Sequence, residues 1–375
     1  MNVLPCGEQV SIKEGNLSLS RGSSIGSLWT KIKTLFSIGG STNHVVGVDF
    51  GPESIKLLKI SAVNHHYCVE HFAIKSIPAN LIVKNEIKDP ATISNLLRDM
   101  FKEADIISKE IALAIPRSST IIKNLTIDSR LNRDEIESRA WIEANRLFPD
   151  LIGNIYLDFA ILESEQNKNQ SEMVLVVCRK DQVNPYLEMV QGAGLNVKIV
   201  DVNCYALERA LPLTVNITPD HIIGLLNLNT SLSTFIVLHN KHLIHAHDQS
   251  FDGKRLMSQV QTYLKSKEEL GPEDAGLYNI LRENLVSHLR HTIHFFYSSR
   301  PNVRIQAIVL SGDCASIPNL SNFIERELGI KTQLANPFSN MTFAKAINTE
   351  KISEFGPALM LCCGLALASD RGNQL

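Results

Sequence analysis

The sequence predicts an α/β protein with two strand-rich units, each opened by a turn that carries glycine or a hydroxyl residue. Three observations predict it. Apolar runs of strand length alternate with helical patterns from residue 44 onward. A strand, a polar turn and a returning strand occur twice with similar grammar, near residues 45–60 and 222–238. The chain has 375 residues, room for about two to three domains. Its 44% hydrophobic and 20% charged residues exclude a disordered or collagen-like chain.

Residues 1–43 stand apart as a flexible leader rich in Ser and Gly. Within it, Leu28-Trp29-Thr30-Lys31-Ile32-Lys33-Thr34-Leu35-Phe36 is a short amphipathic stretch that could rest on an anionic membrane surface. The folded part begins at His44. Val45 to Gly51 reads as a buried strand ending in a glycine turn, Ser54–Ile60 as the returning strand and Tyr67–Ile74 as a third. Asp89-Pro90 opens a helix to about Glu103, and Ile111–Ile115 is a buried strand closed by Pro116. A helix over 134–147, a strand over 173–178, a helix over 181–193 ended by Gly194 and a strand over 195–202 follow. Three strands over 222–228, 233–238 and 242–247, a long helix over 279–299, a strand over 307–310 and a helix over 319–328 complete the pattern.

Charge and cysteine usage narrow the function classes. The 37 Lys+Arg against 39 Asp+Glu, net −2, argue against a nucleic-acid binder. Seven scattered cysteines without a C-x-x-C pair fit reduced thiols in a cytosol. The longest uncharged tract, Pro357 to Ser369, spans 13 residues, short of the roughly 20 of a membrane helix. A soluble, intracellular chain is expected.

Three turns could carry chemistry. Gly47-Val48-Asp49-Phe50-Gly51 and Leu225-Leu226-Asn227-Leu228-Asn229-Thr230-Ser231 each put a short polar residue at the end of an apolar strand. Such turns expose consecutive backbone N–H groups that can cradle phosphate. Lys56, seven residues after Asp49, is placed to aim its ammonium at a β- or γ-phosphate. The third turn, Val309-Leu310-Ser311-Gly312-Asp313-Cys314, leads from a strand towards a helix and can approach a base or ribose.

These turns, in this order, resemble those of the type IV pilus assembly protein PilM family, actin-like proteins close to the division protein FtsA. The resemblance extends over residues 45–369, through Ala114-Ile115-Pro116-Arg117-Ser118, Trp141-Ile142-Glu143-Ala144, Leu157-Asp158-Phe159 and Val200-Asp201-Val202. Phe295-Phe296-Tyr297-Ser298-Ser299, Ala335-Asn336-Pro337-Phe338 and Gly364-Leu365-Ala366-Leu367-Ala368 continue it. It implies an actin-like ATPase fold with two lobes, each a mixed β-sheet flanked by helices, and an FtsA-type inserted small subdomain. The first lobe is expected at 44–109, 179–218 and 341–372, the insert at 110–178, and the second lobe at 219–340 with a helical part at about 254–300. The resemblance also implies a cytoplasmic scaffold on the inner membrane of a Gram-negative-type bacterium. Such a scaffold binds the cytoplasmic tail of a PilN-like bitopic protein and links the PilN/PilO complex to the pilus motor ATPases, with ATP and Mg²⁺ in its cleft. Nucleotide contacts then fall on Asp49, Gly51, Ser54, Lys56, Asn227, Asn229, Thr230, Ser231, Gly312 and Asp313, with Asp49 holding Mg²⁺ through water.

The sequence departs from the family where chemistry would occur. Asn227 and Asn229 stand where Asp-x-Gly is usual, and neutral Asn227 offers a hard cation much less than a carboxylate would. Pro52 and Glu53 replace small hydroxyl residues, and Asp313 replaces a glycine. A degenerate ATP-binding cleft is expected, at most a weak ATPase, with an active ATPase or an FtsA-like filament former as the alternatives. Trp141, Leu147 and Phe148 read as core of the insert, one edge of which could line the groove for a partner peptide. His288, His291 and His294 share the long helix, and His242, His245 and His247 share a strand. The helical repeat turns His294 well away from His288, so these read as surface or interface histidines and not as a metal site. Cys362-Cys363 reads as a pair of core thiols.

Overall fold

The computed structural model describes residues 45–369 apart from 64–65, 84–85, 150, 164–168, 219 and 267–273; the expected leader and its amphipathic stretch lie outside the described residues. The continuous apolar run at its start makes β1 (Val46–Phe50) a central strand, buried between neighbours on both sides. It pairs antiparallel with β2 (Ser54–Val63), which returns along β3 (His66–Ser76). A short ladder of β4 (Ile82–Val83) and β5 (Glu86–Ile87) leads to helix α1 (Pro90–Glu103). As expected, Asp89 caps this helix: Thr92 N donates to Asp89 Oδ1 at 3.0 Å, and Pro90 occupies the first turn. The chain then enters β6 (Glu110–Ile115), parallel to β1.

A three-stranded sheet follows, built from β7 (Thr120–Asp128), β8 (Ile155–Glu163) and β9 (Gln170–Arg179) in the order β7-β9-β8, with α2 (Arg133–Leu147) across one face. The insert expected from residue 110 thus begins one strand early, because β6 hydrogen-bonds into the large sheet between β10 and β1. Helix α3 (Lys180–Gly192) and strand β10 (Asn196–Val202) complete that sheet, whose order is β10-β6-β1-β2-β3-β16, with β16 at Thr342–Phe343. On one face α1 and α3 cover it, and Ile93, Leu97, Met100, Val183, Tyr186 and Met189 pack on Val46, Val48, Ile55 and Leu57.

After α4 (Asn203–Ala210) the second sheet is laid down as β11 (Ile222–Leu228), β12 (Leu232–His239), β13 (His242–Ser250), β14 (Ala307–Ser311) and β15 (Lys331–Leu334), in the order β13-β12-β11-β14-β15. Its outer face carries α5 (Gly253–Lys265), α6 (Ala275–Ser299) and α7 (Leu320–Leu328), which bury Leu256, Val260, Leu281, Leu285, Phe296 and Phe323. A short α8 (Thr349–Glu354) precedes α9 (Met360–Ala366).

The two sheets share one core. Leu58, Ile60 and Val69 of the first sheet meet Ile223, Leu225, Ile236 and Leu238 of the second through residues of α4 and α9, including the fully buried Cys362 and Cys363. Helix α9 crosses α4 so closely that a Cβ at Gly364 would lie 1.8 Å from the Ala206 carbonyl oxygen. A Cβ at Gly47 would come within 2.3 Å of the Cys362 carbonyl, so β1 also rests directly on α9.

Candidate functional site

Three turns converge where the lobes face each other. In the first, Gly51 N donates to Ser54 O at 3.0 Å and reverses β1 into β2, which sets Lys56 in register opposite Asp49. In the second, Asn229 N donates to Leu232 O at 3.0 Å. In the third, Gly312 adopts φ 92°, a conformation that side chains with a Cβ avoid. It passes so near the second turn that a Cβ would lie 2.4 Å from Leu228 O. Asp313 N then donates to Asn229 Oδ1 at 3.1 Å, locking the second and third turns together.

Lys56 joins the first turn to the other two. Its Nζ lies 3.1 Å from Asp49 Oδ2 and 3.0 Å from Asp313 Oδ1, and the side chain is only 2% exposed. Burial alone would push this ammonium down. The carboxylates of Asp313 and Asp49 outweigh it and hold Lys56 well above the ordinary lysine value. Where the sequence predicts an ammonium aimed at phosphate, the charge of Lys56 is matched by carboxylates from both lobes. At the cleft mouth Glu53 Oε1 meets Lys254 Nζ at 2.7 Å, a pair that sequence reading missed and that is too solvent-exposed to add much stability.

The other predicted residues divide. Asn227 is 4% exposed, lies on the same face of β11 as Ile223 and Leu225, and its Oδ1 accepts from Ser311 Oγ at 3.0 Å. The carbonyls of Thr230 and Ser231 accept from Lys254 N and Phe251 N, steering the chain into α5. Thr230 Oγ1 is buried without a hydrogen-bond partner.

Magnesium-bound nucleotide would need an ammonium with charge to spare and free backbone N–H groups. Lys56 is doubly paired, Pro52 has no N–H, and the N–H groups of Gly51, Asn229, Gly312 and Asp313 are all bonded within the protein. Thr230 Oγ1 is buried beside them without a hydrogen-bond partner. In this arrangement the residues do not fit Mg²⁺-ATP, and Asp49, expected to hold the metal, holds Lys56 instead.

The three-stranded unit offers a second surface. Trp141 and Phe148 pack on its small core with Ile136, Ala140, Leu157 and Leu175, while Leu147 is half-buried. The sheet face away from α2 turns towards the body. There Ile122 and Val176 pack on the shared core, and Tyr156 Oη donates to Asn184 Oδ1 of α3 at 2.7 Å. The turn Arg117–Ser119 that carries the chain into the unit is pinned from both lobes. Arg117 N donates to Asn203 Oδ1 at 2.9 Å, and Ser118 N donates to Asp248 Oδ2 at 3.0 Å.

On the same face, burial pushes the Asp158 carboxyl up to about 7; the Phe159 N–H and Arg133 oppose that shift only in part, and Glu137 adds to it. The folded value exceeds the unfolded 3.8, so the folded state keeps a proton that the unfolded state loses, and this stability fades as pH rises through 7. Asp158→Asn is expected to stabilise the protein by about 2 kcal/mol at pH 8 and little below pH 4, read from urea melts at both pH values.

Of the six histidines expected at the surface or an interface, His242, His291 and His294 are exposed, whereas His245 and His288 are enclosed. His245 lies against Phe296, Phe295 and Phe235 with ring centroids at 5.2, 5.9 and 6.2 Å, and His288 stacks on Phe251 at 4.8 Å. Both Nε2 atoms are buried without a partner. Burial pushes each ring down to about 4, helped by His247, Arg300 and Arg117 around His245 and by His291 and His247 around His288. Since the unfolded value is 6.5, their contribution is whole above it and is lost as pH falls through 4. Melting temperature is expected to drop between pH 6.5 and 4, and the drop should shrink in His245→Phe.

Two mixed sheets flanked by helices and joined through a shared pair of helices define an actin-like ATPase fold. Residues 47–370 match the family model described as type IV pilus assembly protein PilM, and the chain belongs to that family. Among solved structures it is similar to the PilM-PilN type IV pilus biogenesis complex, with TM-score 0.74 and 21% identity over 88% of this chain and 99% of that one, a likeness of fold. More distant likenesses are the ethanolamine utilization protein EutJ from Carboxydothermus hydrogenoformans (14% identity, 91% and 96% covered, TM-score 0.48) and MreB5 of Spiroplasma citri bound to ADP (11%, 86% and 95%, 0.44). No helix among the described residues is long and apolar enough to cross a membrane.

Proposed function

We propose that the chain is a cytoplasmic scaffold of type IV pilus assembly that docks the cytoplasmic tail of a PilN-like membrane protein beside its three-stranded unit. The observation that carries this reading is the face of that unit turned towards the body. Ile122 and Val176 anchor it, while Val174 and Ala160 stay half-buried and Asn124 and Thr126 are exposed. An otherwise disordered tail could cover the apolar part and order on binding. Family membership and the likeness to a PilM-PilN complex support the assignment. Through the same partner the scaffold reaches the inner membrane, the PilN/PilO complex and the motor ATPases. In this reading the cleft does not hydrolyse nucleotide, because the buried Asn227 supplies no carboxylate for a metal or an attacking water.

Calorimetric titration of the full chain with the synthetic tail of the cognate PilN-like protein tests the reading. Saturable binding that Val174→Arg weakens at least tenfold is expected. A tail that does not bind would remove the scaffold assignment.

A further inference from the structure

We infer that the two lobes are held closed by an internal ion bridge, Asp49–Lys56–Asp313, which takes the place a metal-bound phosphate would otherwise fill between them. The inference goes beyond tail docking and does not depend on it.

Each end of the bridge is fixed. Lys56 sits on β2 in register with Asp49, and its carbonyl accepts from Cys362 Sγ of α9 at 3.4 Å. Asp313 belongs to the other lobe, at the end of β14. Its own N–H is spent on Asn229, and Gly312 N is spent on Pro357 O at 2.9 Å. The exposures of Asp49, Lys56 and Asp313 are 14%, 2% and 20%, so the ammonium is the most enclosed of the three and the carboxylates flank it.

Two consequences follow from charge. The three groups carry one negative charge net, so an approaching polyphosphate meets repulsion where it would need a cation. In addition, one ammonium within 3.1 Å of carboxylates from both lobes does the joining that a divalent ion does when it ties carboxylate to phosphate. Removing the ammonium leaves two carboxylates facing each other across the cleft, a hard-oxygen pair suited to a divalent cation.

The test uses the full chain, with Mg²⁺-ATP and MnCl₂ as probes and melting temperature and solution radius of gyration as readouts. Wild type is expected to keep its melting temperature in millimolar Mg²⁺-ATP. Lys56→Ala is expected to melt lower and to recover when MnCl₂ is added, whereas wild type ignores MnCl₂. Asp313→Asn cuts the bridge while leaving the Lys56–Asp49 pair intact. It is expected to enlarge the radius of gyration and to gain a thermal shift with Mg²⁺-ATP, and it carries the test alone if Lys56→Ala does not fold. A wild-type melting temperature that climbs with Mg²⁺-ATP overturns the inference, as does an Asp313→Asn protein with wild-type radius and no nucleotide response.

Discussion

Gly364→Ala is expected to destabilise the protein by about 3 kcal/mol or more, the upper range for overpacking a close-packed site. The added methyl would lie 1.8 Å from the carbonyl oxygen and 2.5 Å from the carbonyl carbon of Ala206, both backbone atoms that cannot rotate away. Relief requires α9 and α4 to separate, and these helices fill the core shared by both sheets. The loss therefore falls on both lobes together. Urea unfolding monitored by circular dichroism should show a lower midpoint in one cooperative transition. Gly153→Ala is the control: a Cβ there meets nothing within 4 Å, so stability should change by less than about 0.5 kcal/mol.

Arg209→Met is expected to cost about 3–5 kcal/mol, the range for removing one partner of a buried ion pair. Arg209 Nη2 lies 2.7 Å from Asp201 Oδ2, with the two side chains 13% and 12% exposed, and its Nη1 donates to the carbonyl of Gly364. Methionine fills much of the same volume, so the loss is mainly electrostatic: a buried carboxylate without its cation and a helix carbonyl without its donor. Adding Asp201→Asn to Arg209→Met should recover more than half of the loss. A double variant no more stable than the single one would assign the effect to packing instead.

Much of the architecture is legible in the sequence because its central strands are buried on both faces. Ile223, Leu225 and Leu226 in β11 and Ile308, Val309 and Leu310 in β14 read as continuous apolar runs, and each run stops at a polar turn. Strands β7 and β8 are not legible, because their two faces answer to different partners. Ile122 packs on the shared core while neighbouring Lys123 pairs with Glu143 of α2, so no clean alternation survives. The cleft is legible as three turns, and Asp313 stands out as a departure. That Asp313 would close on Lys56 is invisible, since the contact depends on how the lobes meet and no local spacing encodes it. His245 and His288 mislead for the same reason: aromatic rings from β12, α6 and the end of β13 enclose them, and their own neighbours in sequence give no sign of it.

The chain enters and leaves the three-stranded unit at the same end. The chain enters it at Thr120 and leaves near Cys178, residues that face each other directly as ladder partners, so entry and exit lie about 5 Å apart. A different hairpin-based module could be spliced between those two points without disturbing the order of either large sheet. If the unit docks a partner as proposed, partner choice can diversify by cassette exchange, at a pace uncoupled from the rest of the molecule.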